Sequence, residues 1–473
     1  MSTPTATFAP EALAPTSAAS AIPLRAWVVL GPLTLAPILL AALQLGRWHP
    51  DEVYQFLEPA WFRVHGYGVR AWEWKVGLRN WSVPLVFSWM LQLAQALGIT
   101  HPQAYRALIA LPQLVLHGAM MVAVWRYSER RLGRAGLFPV AFATLLVGLY
   151  APTILFAGRT MGESLSAAFL VLAFERLDRL SESRADGLAA GLWLGLSVVA
   201  RYGSAVFVIA ALVWLAWARR GRLLAFTCAS GAAVAAGLAA LDWATWGKPF
   251  HSLLAYLEFN VSSGRAAQQF GASPAWYYLP LLGAWVAVWI WPGLVAAIVR
   301  ERRLPLPVFS ALCYVVSISA TAHKEERFLY PAWILLALVA APATVELLAR
   351  LRFAWMKAAG GALAVALGLV MFGWAPDFRG DQFRALVQAT RDPEASGLLI
   401  VNEGLWGSGG HFYIGRDIPW YNCDTPQHAL QILRADRRVN RVITFEDRAL
   451  AELEQYGFQV VDRIGREAIL ERR

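Results

Sequence analysis

The sequence predicts a polytopic α-helical membrane protein with about eleven spanning helices and a small α/β domain on the outer face. Three observations lead there. Of the 473 residues, 58% are hydrophobic and only 16% are charged. Apolar runs of roughly 17 to 25 residues recur, each long enough to cross a bilayer as a hydrogen-bonded helix. From about Asp377 the long runs end, and short β-branched stretches alternate with amphipathic ones.

Residues 1–24, rich in Ala, Pro, Thr and Ser, read as a disordered tail. The first apolar run, 26–46, is too long for a signal peptide and has no small-residue cleavage site after it, so it reads as an uncleaved anchor with a cytoplasmic N-terminus. An outer loop over 47–103 follows. Further apolar segments fall at 104–125, 136–156, 161–175, 187–200, 203–217, 223–241, 276–299, 305–321, 328–349 and 357–374. Clusters of basic residues at 126–134, 176–184, 219–222, 300–303 and 350–357 fall on one side of the membrane, the cytoplasmic one. That parity leaves no crossing for the apolar stretch 82–99, which is expected to lie along the outer interface or to enter only part way. The domain boundaries are thus 25–375 for the membrane domain, with a second long outer loop at 242–275, and 376–473 for the outer domain. In the latter, 398–401, 441–445 and 459–461 read as strands, and 426–435 and 447–456 as helices. Gly407-Ser408-Gly409-Gly410 lacks the strand-to-helix context of a nucleotide-binding loop. A structural or acceptor-positioning role is the expectation for this domain.

The net charge of +10 does not imply a nucleic-acid partner, because the arginines sit in short clusters between apolar runs. Cys228, Cys313 and Cys423 lie far apart, without metal-ligand spacing, so no zinc site or disulfide framework is implied.

The chemistry concentrates after the first span. Asp51 and Glu52 are adjacent carboxylates at the membrane surface, followed by Glu58 and the run Trp72-Glu73-Trp74. Carboxylates beside apolar surface lose solvation, which raises their pKa and suits them to take a proton near neutral pH. A solvated loop with interfacial tryptophans fits the same residues. On the predicted topology Arg159, Arg201, Lys324 and Arg327 all fall on the outer face, against the usual bias. Each sits beside apolar sequence, where an unpaired charge is costly. A phosphate at the interface would compensate them, and the planar fork of arginine suits it. Internal pairing of Lys324 and Arg327 with Glu325 and Glu326, and structural ion pairs for Arg159 and Arg201, fit as well.

Several spaced elements resemble glycosyltransferase family 22, which holds the mannosyltransferases that build GPI anchors and lipid-linked oligosaccharides. They are His49-Pro50-Asp51-Glu52, Glu58-Pro59, Gly66-Tyr67-Gly68, Trp72-Glu73-Trp74, Gly77-Leu78-Arg79-Asn80, Arg159-Thr160 and the run from His323 to Pro331. The resemblance covers roughly residues 45–335, and Glu163 departs from it, standing where the family usually has asparagine. It implies a GT-C fold with an active site facing the periplasm or lumen and a polyprenyl-phosphate sugar donor, typically of mannose. It also implies an inverting transfer that needs no nucleotide or obligatory metal cofactor.

On that basis Asp51 is the candidate base and Glu52 its partner in orienting the acceptor or stabilising charge on the sugar. Arg159, Arg201, Lys324, Arg327 and His323 are the candidates for the donor phosphate. Glu58, Trp72, Glu73, Trp74 and Tyr277 are those for acceptor or sugar. With 22 tryptophans in the chain, an aromatic belt accounts for the rings equally well. The partners implied are the lipid-linked donor, a glycan or glycolipid acceptor and the bilayer. The Ala- and Arg-rich composition suggests a bacterial inner membrane, with the site and outer domain in the periplasm; in a eukaryote the compartment would be the endoplasmic reticulum lumen. A lipid or glycolipid transporter would share the spans and the anion site, but it should show internal repeats and polar groups at mid-membrane. Neither is evident, and the charges gather at one face. A GT-C enzyme that uses another sugar, or that attaches sugar to protein or to another lipid, fits the same residues.

Overall fold

The computed structural model describes residues 21–179, 181–370, 377–402 and 404–472. Most of the 1–24 tail, the end of the last predicted span and the 375/376 boundary lie outside the described residues. Each of the apolar segments predicted to span is helical, from Trp27–Leu43 to Ala354–Val370. By length and apolarity alone, four helices among the described residues are able to cross a membrane, or six if each of two bent pairs is one span. That measure falls short of eleven because five further helices, Gly162–Asp178, Arg184–Ala200, Tyr202–Trp217, Leu306–Ala320 and Ala354–Val370, are shorter than it requires.

The bends have local causes. Leu137–Gly148 and Ala151–Ala157 meet at 65°, and Pro152 lacks the N–H that would bond to the Gly148 carbonyl. The second pair bends by 100° just before Pro292, which likewise cannot bond back to Val288. Ser82–Ala96, fifteen residues long, is not among the helices long enough to cross.

Tyr330–Ala349 is the central helix. It is apolar all round, and every residue from Tyr330 to Val345 is buried, as expected of a helix enclosed by others. Gly221–Trp246 is its opposite: 17% of its apolar window is buried, against 78% for the span that contains the central helix. What holds this peripheral helix is a row of glycines. A Cβ on Gly187, Gly191 or Gly195 would lie within 2.1–2.7 Å of Phe226, Thr227 or Val234, so Arg184–Ala200 packs backbone to backbone against it.

The basic loops gather at one end of the bundle. Arg130 pairs with Glu175 (2.5 Å), Arg131 with Asp178 (2.7 Å) and Glu301 (3.5 Å), and Arg300 with Glu346 (2.5 Å). At the other end the 47–80 segment meets the C-terminal domain. That domain has a five-stranded sheet in the order β2-β1-β3-β5-β4. Strands β1 (Leu398–Val401), β2 (Trp420–Cys423) and β3 (Arg441–Thr444) are parallel, and the hairpin of β4 (Phe458–Ile464) and β5 (Glu467–Arg472) completes it antiparallel. Both faces of β1 and β3 are covered, which explains their uninterrupted apolar runs. One face packs Leu399 and Val442 against Leu433 and Leu453; the other carries Leu398, Ile400 and Ile443 into a core shared with Leu57 and Trp61 of the membrane domain. β2, β5 and the helix Gly380–Arg391 are elements that sequence patterning did not identify, being short or irregular in their apolar spacing.

The glycine row yields a direct test. Gly191→Ala places a methyl 2.1 Å from the Thr227 carbonyl oxygen, so the helices must separate. A loss of about 1–3 kcal/mol is expected, read as a lower melting temperature in detergent. Gly237→Ala, whose Cβ would meet nothing within 4 Å, is expected to leave the melt unchanged or slightly raised.

Candidate active site

The site begins where Trp27–Leu43 ends. Residues 44–49 form an irregular run, and the chain then winds as a π-helix over Glu52–Leu57 before continuing as Glu58–His65. Pro59 favours this wider winding, because it cannot donate to the Gln55 carbonyl. Asp51 sits at the N-terminus of this element and turns toward the 323–327 segment.

A polar cluster gathers around Arg327. Its Nη2 donates to Asp51 Oδ2 (2.5 Å), its Nε to Glu325 Oε2 (2.6 Å), and its Nη1 lies 3.5 Å from Glu163 Oε1. Glu163 Oε1 is also 3.2 Å from Arg201 Nε, while Arg201 Nη1 donates to the Tyr314 hydroxyl (2.9 Å). His49 lies between Asp51 (3.4 Å) and Glu325 (3.2 Å), and His323 approaches Glu325 from the other side (3.0 Å). The side chains of Asp51, Glu325 and His323 are about a quarter exposed, whereas Glu163 and Arg327 are buried beneath them. The arrangement is a partly exposed set of charges over a buried ion pair.

Electrostatics here differ from the expectation for desolvated carboxylates. Burial does act to raise the pKa of Asp51, but Arg327 and His49 outweigh it and hold the carboxyl well below its ordinary range. Glu325 is depressed for the same reason, by Arg327 and the two imidazoles. Burial and Arg327 act to lower the pKa of His49, yet Asp51 and Glu325 prevail and raise it to about 9. At neutral pH the cluster is therefore balanced: Asp51, Glu163 and Glu325 face Arg201, Arg327 and protonated His49.

Glu52 points the other way, despite being adjacent. It is wholly buried, its Oε1 accepts from the Trp48 and His49 amides (2.8 and 3.4 Å), and it lies 3.8 Å from Arg159. Arg159 is thus separated from Arg201 and Arg327. It donates to the Gly46 carbonyl and to Gln44 Oε1, beside the buried Arg47 and Arg106, which donate to the Gly46 and Gly158 carbonyls. These carbonyls follow the C-termini of Trp27–Leu43 and Ala151–Ala157, where the helix dipole favours cations.

The remaining candidates are dispersed. Lys324 Nζ donates to the carbonyls of Ser273 (2.9 Å) and Thr321, tying the long outer loop to the end of Leu306–Ala320. Glu73 pairs with Arg79 (2.6 Å) and accepts from Gln55, close enough to Asp51 and Arg327 to feel their charge. Trp74 is core, packed on Trp81 and Trp246, and Trp72 packs on Phe259 and Phe270. Tyr277 is half-buried against Tyr278. Glu58 is fully buried; its oxygens accept from the amides of Val69 (2.6 Å) and Phe412 (2.5 Å), clasping the acidic segment to the C-terminal domain. Sequence reasoning did not assign His49 or Tyr314. His49 carried a signal, its place two residues before Asp51; Tyr314 lies mid-helix and carried none. Among the described residues, the cluster Asp392, Glu394 and Glu471 brings carboxylate oxygens together, but Arg441 already pairs with two of them (2.7 and 3.2 Å), so it is not read as a metal centre.

The Alg9-like mannosyltransferase family model matches residues 29–375, which holds the whole cluster. The chain belongs to this family. Among its relatives, GPI mannosyltransferase 3 of Yarrowia lipolytica is 32% identical over 317 residues, covering 64% of this chain and 60% of that one. Mannosyltransferase APTG1 of Arabidopsis thaliana is 26% identical over 300 residues, covering 60% and 52%. The chain thus spans between about half and 60% of the length of these curated relatives. Solved structures extend the likeness to the fold. ArnT from Cupriavidus metallidurans, bound to undecaprenyl phosphate, matches with a TM-score of 0.62 at 16% identity over 95% of this chain and 98% of its own. An oligosaccharyltransferase of Archaeoglobus fulgidus matches at 0.52 and 14%, over 89% and 67%. This family member therefore has the GT-C fold, with its C-terminal domain included in the ArnT match.

The Glu58 clasp is testable by pH. Burial outweighs its two amide bonds and raises its pKa from 4.5 to about 7. The folded value exceeds the unfolded one, so the native state holds the proton more tightly. Glu58 thus opposes folding increasingly as pH rises from 4.5 to about 7. Melts between about pH 5 and about pH 8 should show wild type losing roughly 2 kcal/mol or more relative to Glu58→Gln, which lacks that titration.

Proposed function

We propose that this protein transfers mannose from polyprenyl-phosphate mannose to a hydroxyl of a glycan or glycolipid, at the charged cluster opposite the basic loops. The observation that supports it most directly is the contact between Asp51 and Arg327: a carboxylate able to take a proton touches a guanidinium able to hold a phosphate. The names of the relatives support mannose and a GPI-type glycolipid acceptor, and the undecaprenyl phosphate of ArnT supports a polyprenyl-phosphate donor.

The reaction follows from this contact. The acceptor hydroxyl attacks the anomeric carbon, its proton passes to Asp51, and the bond to phosphate oxygen breaks with its electron pair leaving on polyprenyl phosphate. Configuration inverts in this single displacement. Arg327 and Arg201 stabilise the charge that develops on the departing phosphate, a task this reading gives to guanidinium groups and not to a metal ion. In the resting site Asp51 is a weak base because it is paired with Arg327. Donor phosphate draws Arg327 toward itself, loosens that pair and raises the affinity of Asp51 for a proton, so base strength develops only when donor is bound. His323, about a quarter exposed, is the candidate to hydrogen-bond the donor, and Glu73 and Tyr277 are those to orient the acceptor. Glu52 and Arg159 support the loop from beneath. The cluster faces the periplasm in a bacterium or the endoplasmic reticulum lumen in a eukaryote, the side opposite the basic loops.

Membranes carrying wild type or Asp51→Asn should be supplied with labelled polyprenyl-phosphate mannose and a glycolipid acceptor. Transfer by wild type and a loss of about 10²–10⁴-fold in the variant, at equal protein levels, is the expected result. Equal transfer by both would remove Asp51 as the base.

A further inference from the structure

Glu163 has no part in the reaction as described, yet it occupies the centre of the phosphate site. Its Oε1 lies 3.2 Å from Arg201 Nε and 3.5 Å from Arg327 Nη1, so one carboxylate oxygen bridges both guanidiniums. Its side chain is 5% exposed. The other carboxylates near Arg327 are further engaged: Asp51 with His49, and Glu325 with His49 and His323. The ion-pair partners of Glu163 are the two arginines. It also stands in the first turn of Gly162–Asp178, where the helix dipole favours an anion of either kind, carboxylate or phosphate. The backbone there is wedged, since a Cβ on Gly162 would lie 2.8 Å from the Ala200 carbonyl oxygen. Any exchange of anions must therefore come from rotation of the Glu163 side chain.

We propose that Glu163 is a built-in counter-anion for Arg201 and Arg327, displaced by the lipid phosphate on binding and returning to displace it after transfer. This rests on the proposed function and adds to it a residue that sets phosphate affinity and product release. The charges of the two lipids give the arrangement a purpose. The donor is a phosphodiester with one negative charge, and the product is a phosphomonoester with between one and a half and two at neutral pH. Two unopposed guanidiniums would hold the product more tightly than the donor. A carboxylate competing for both of them weakens each, and the return of Glu163 restores the balanced resting cluster as product leaves.

The test uses the full chain in nanodiscs and polyprenyl phosphate as the probe. Glu163→Gln keeps the shape and removes the charge; Glu163→Asn removes the charge with a shorter side chain. Both are expected to bind polyprenyl phosphate about tenfold more tightly than wild type, a shift of the size that one removed competing charge produces in a partly buried site. In turnover they should show a lower KM for donor together with a lower kcat, as product release becomes limiting. A purely packing role would not produce that split. Unchanged or weaker binding in variants that melt like wild type would overturn the proposal. Arg201→Gln distinguishes this from failure of the underlying reading. If it weakens polyprenyl phosphate binding while the Glu163 variants do not tighten it, only the role of Glu163 falls. If Arg201→Gln leaves binding unchanged, the phosphate site falls, and the role of Glu163 with it.

Discussion

The guanidinium of Arg327 is the interaction on which the rest of the site depends. It contacts Asp51, Glu163 and Glu325 at 2.5–3.5 Å, and through Glu163 it is linked to Arg201. Those residues come from four separate parts of the chain: the first outer loop, the start of Gly162–Asp178, the break before Ala205–Trp217 and the approach to the central helix. A buried guanidinium must be paired, because desolvation without compensation costs several kcal/mol. The pairing therefore brings these segments together and holds them in register before any ligand arrives. The same pairing depresses the basicity of Asp51, so a resting site of this kind is stable and chemically quiet.

Behind this cluster lies a second, drier one. Glu52, Arg47, Arg106 and Arg159 are all buried, and the guanidiniums take up carbonyls at the C-termini of two helices. Their role is to fix the short irregular run 44–49 that leads into Asp51. Tyr413 of the C-terminal domain closes the cluster, its hydroxyl donating to the Leu45 carbonyl (3.1 Å) and its ring lying against Arg47. Together with the Glu58 clasp and the Asp377 carboxylate on the Gly46 amide (2.8 Å), this makes the C-terminal domain a support for the acidic loop. That is a physical account of why a soluble-looking α/β unit accompanies a membrane domain. It restrains the loop that carries the candidate base.

Much of this was legible in the chain. Apolar runs long enough to form helices specify those helices locally, since nothing else satisfies the backbone in lipid. Basic clusters mark one end because charge at the membrane boundary follows the same rule in every loop. The strands β1, β3 and β4 announce themselves by β-branched content, and the outer acidic loop by its adjacent carboxylates. The two candidates at the heart of the site, Asp51 and Arg327, follow from charge placed next to apolar sequence. By itself, then, the sequence determined the helical membrane class, the C-terminal α/β unit and the basic end, and it singled out Asp51, Arg201, His323 and Arg327 among the residues that the cluster brings together.

What only the tertiary structure decided is which charge faces which. Asp51 and Glu52 are neighbours in sequence, but the turn at the start of a helix sends them to opposite sides, one to Arg327 and one into the Arg159 cluster. Arg159 and Arg201 look alike as lone basic residues beside apolar runs, yet only Arg201 reaches Arg327 through Glu163. Glu58 follows the acidic pair by a few positions and serves the C-terminal domain instead. The physical reason is common to these cases. Burial and hydropathy are properties of a local stretch, whereas an ion pair depends on side-chain directions and on partners from other elements of the chain, and those meet only once the helices have packed.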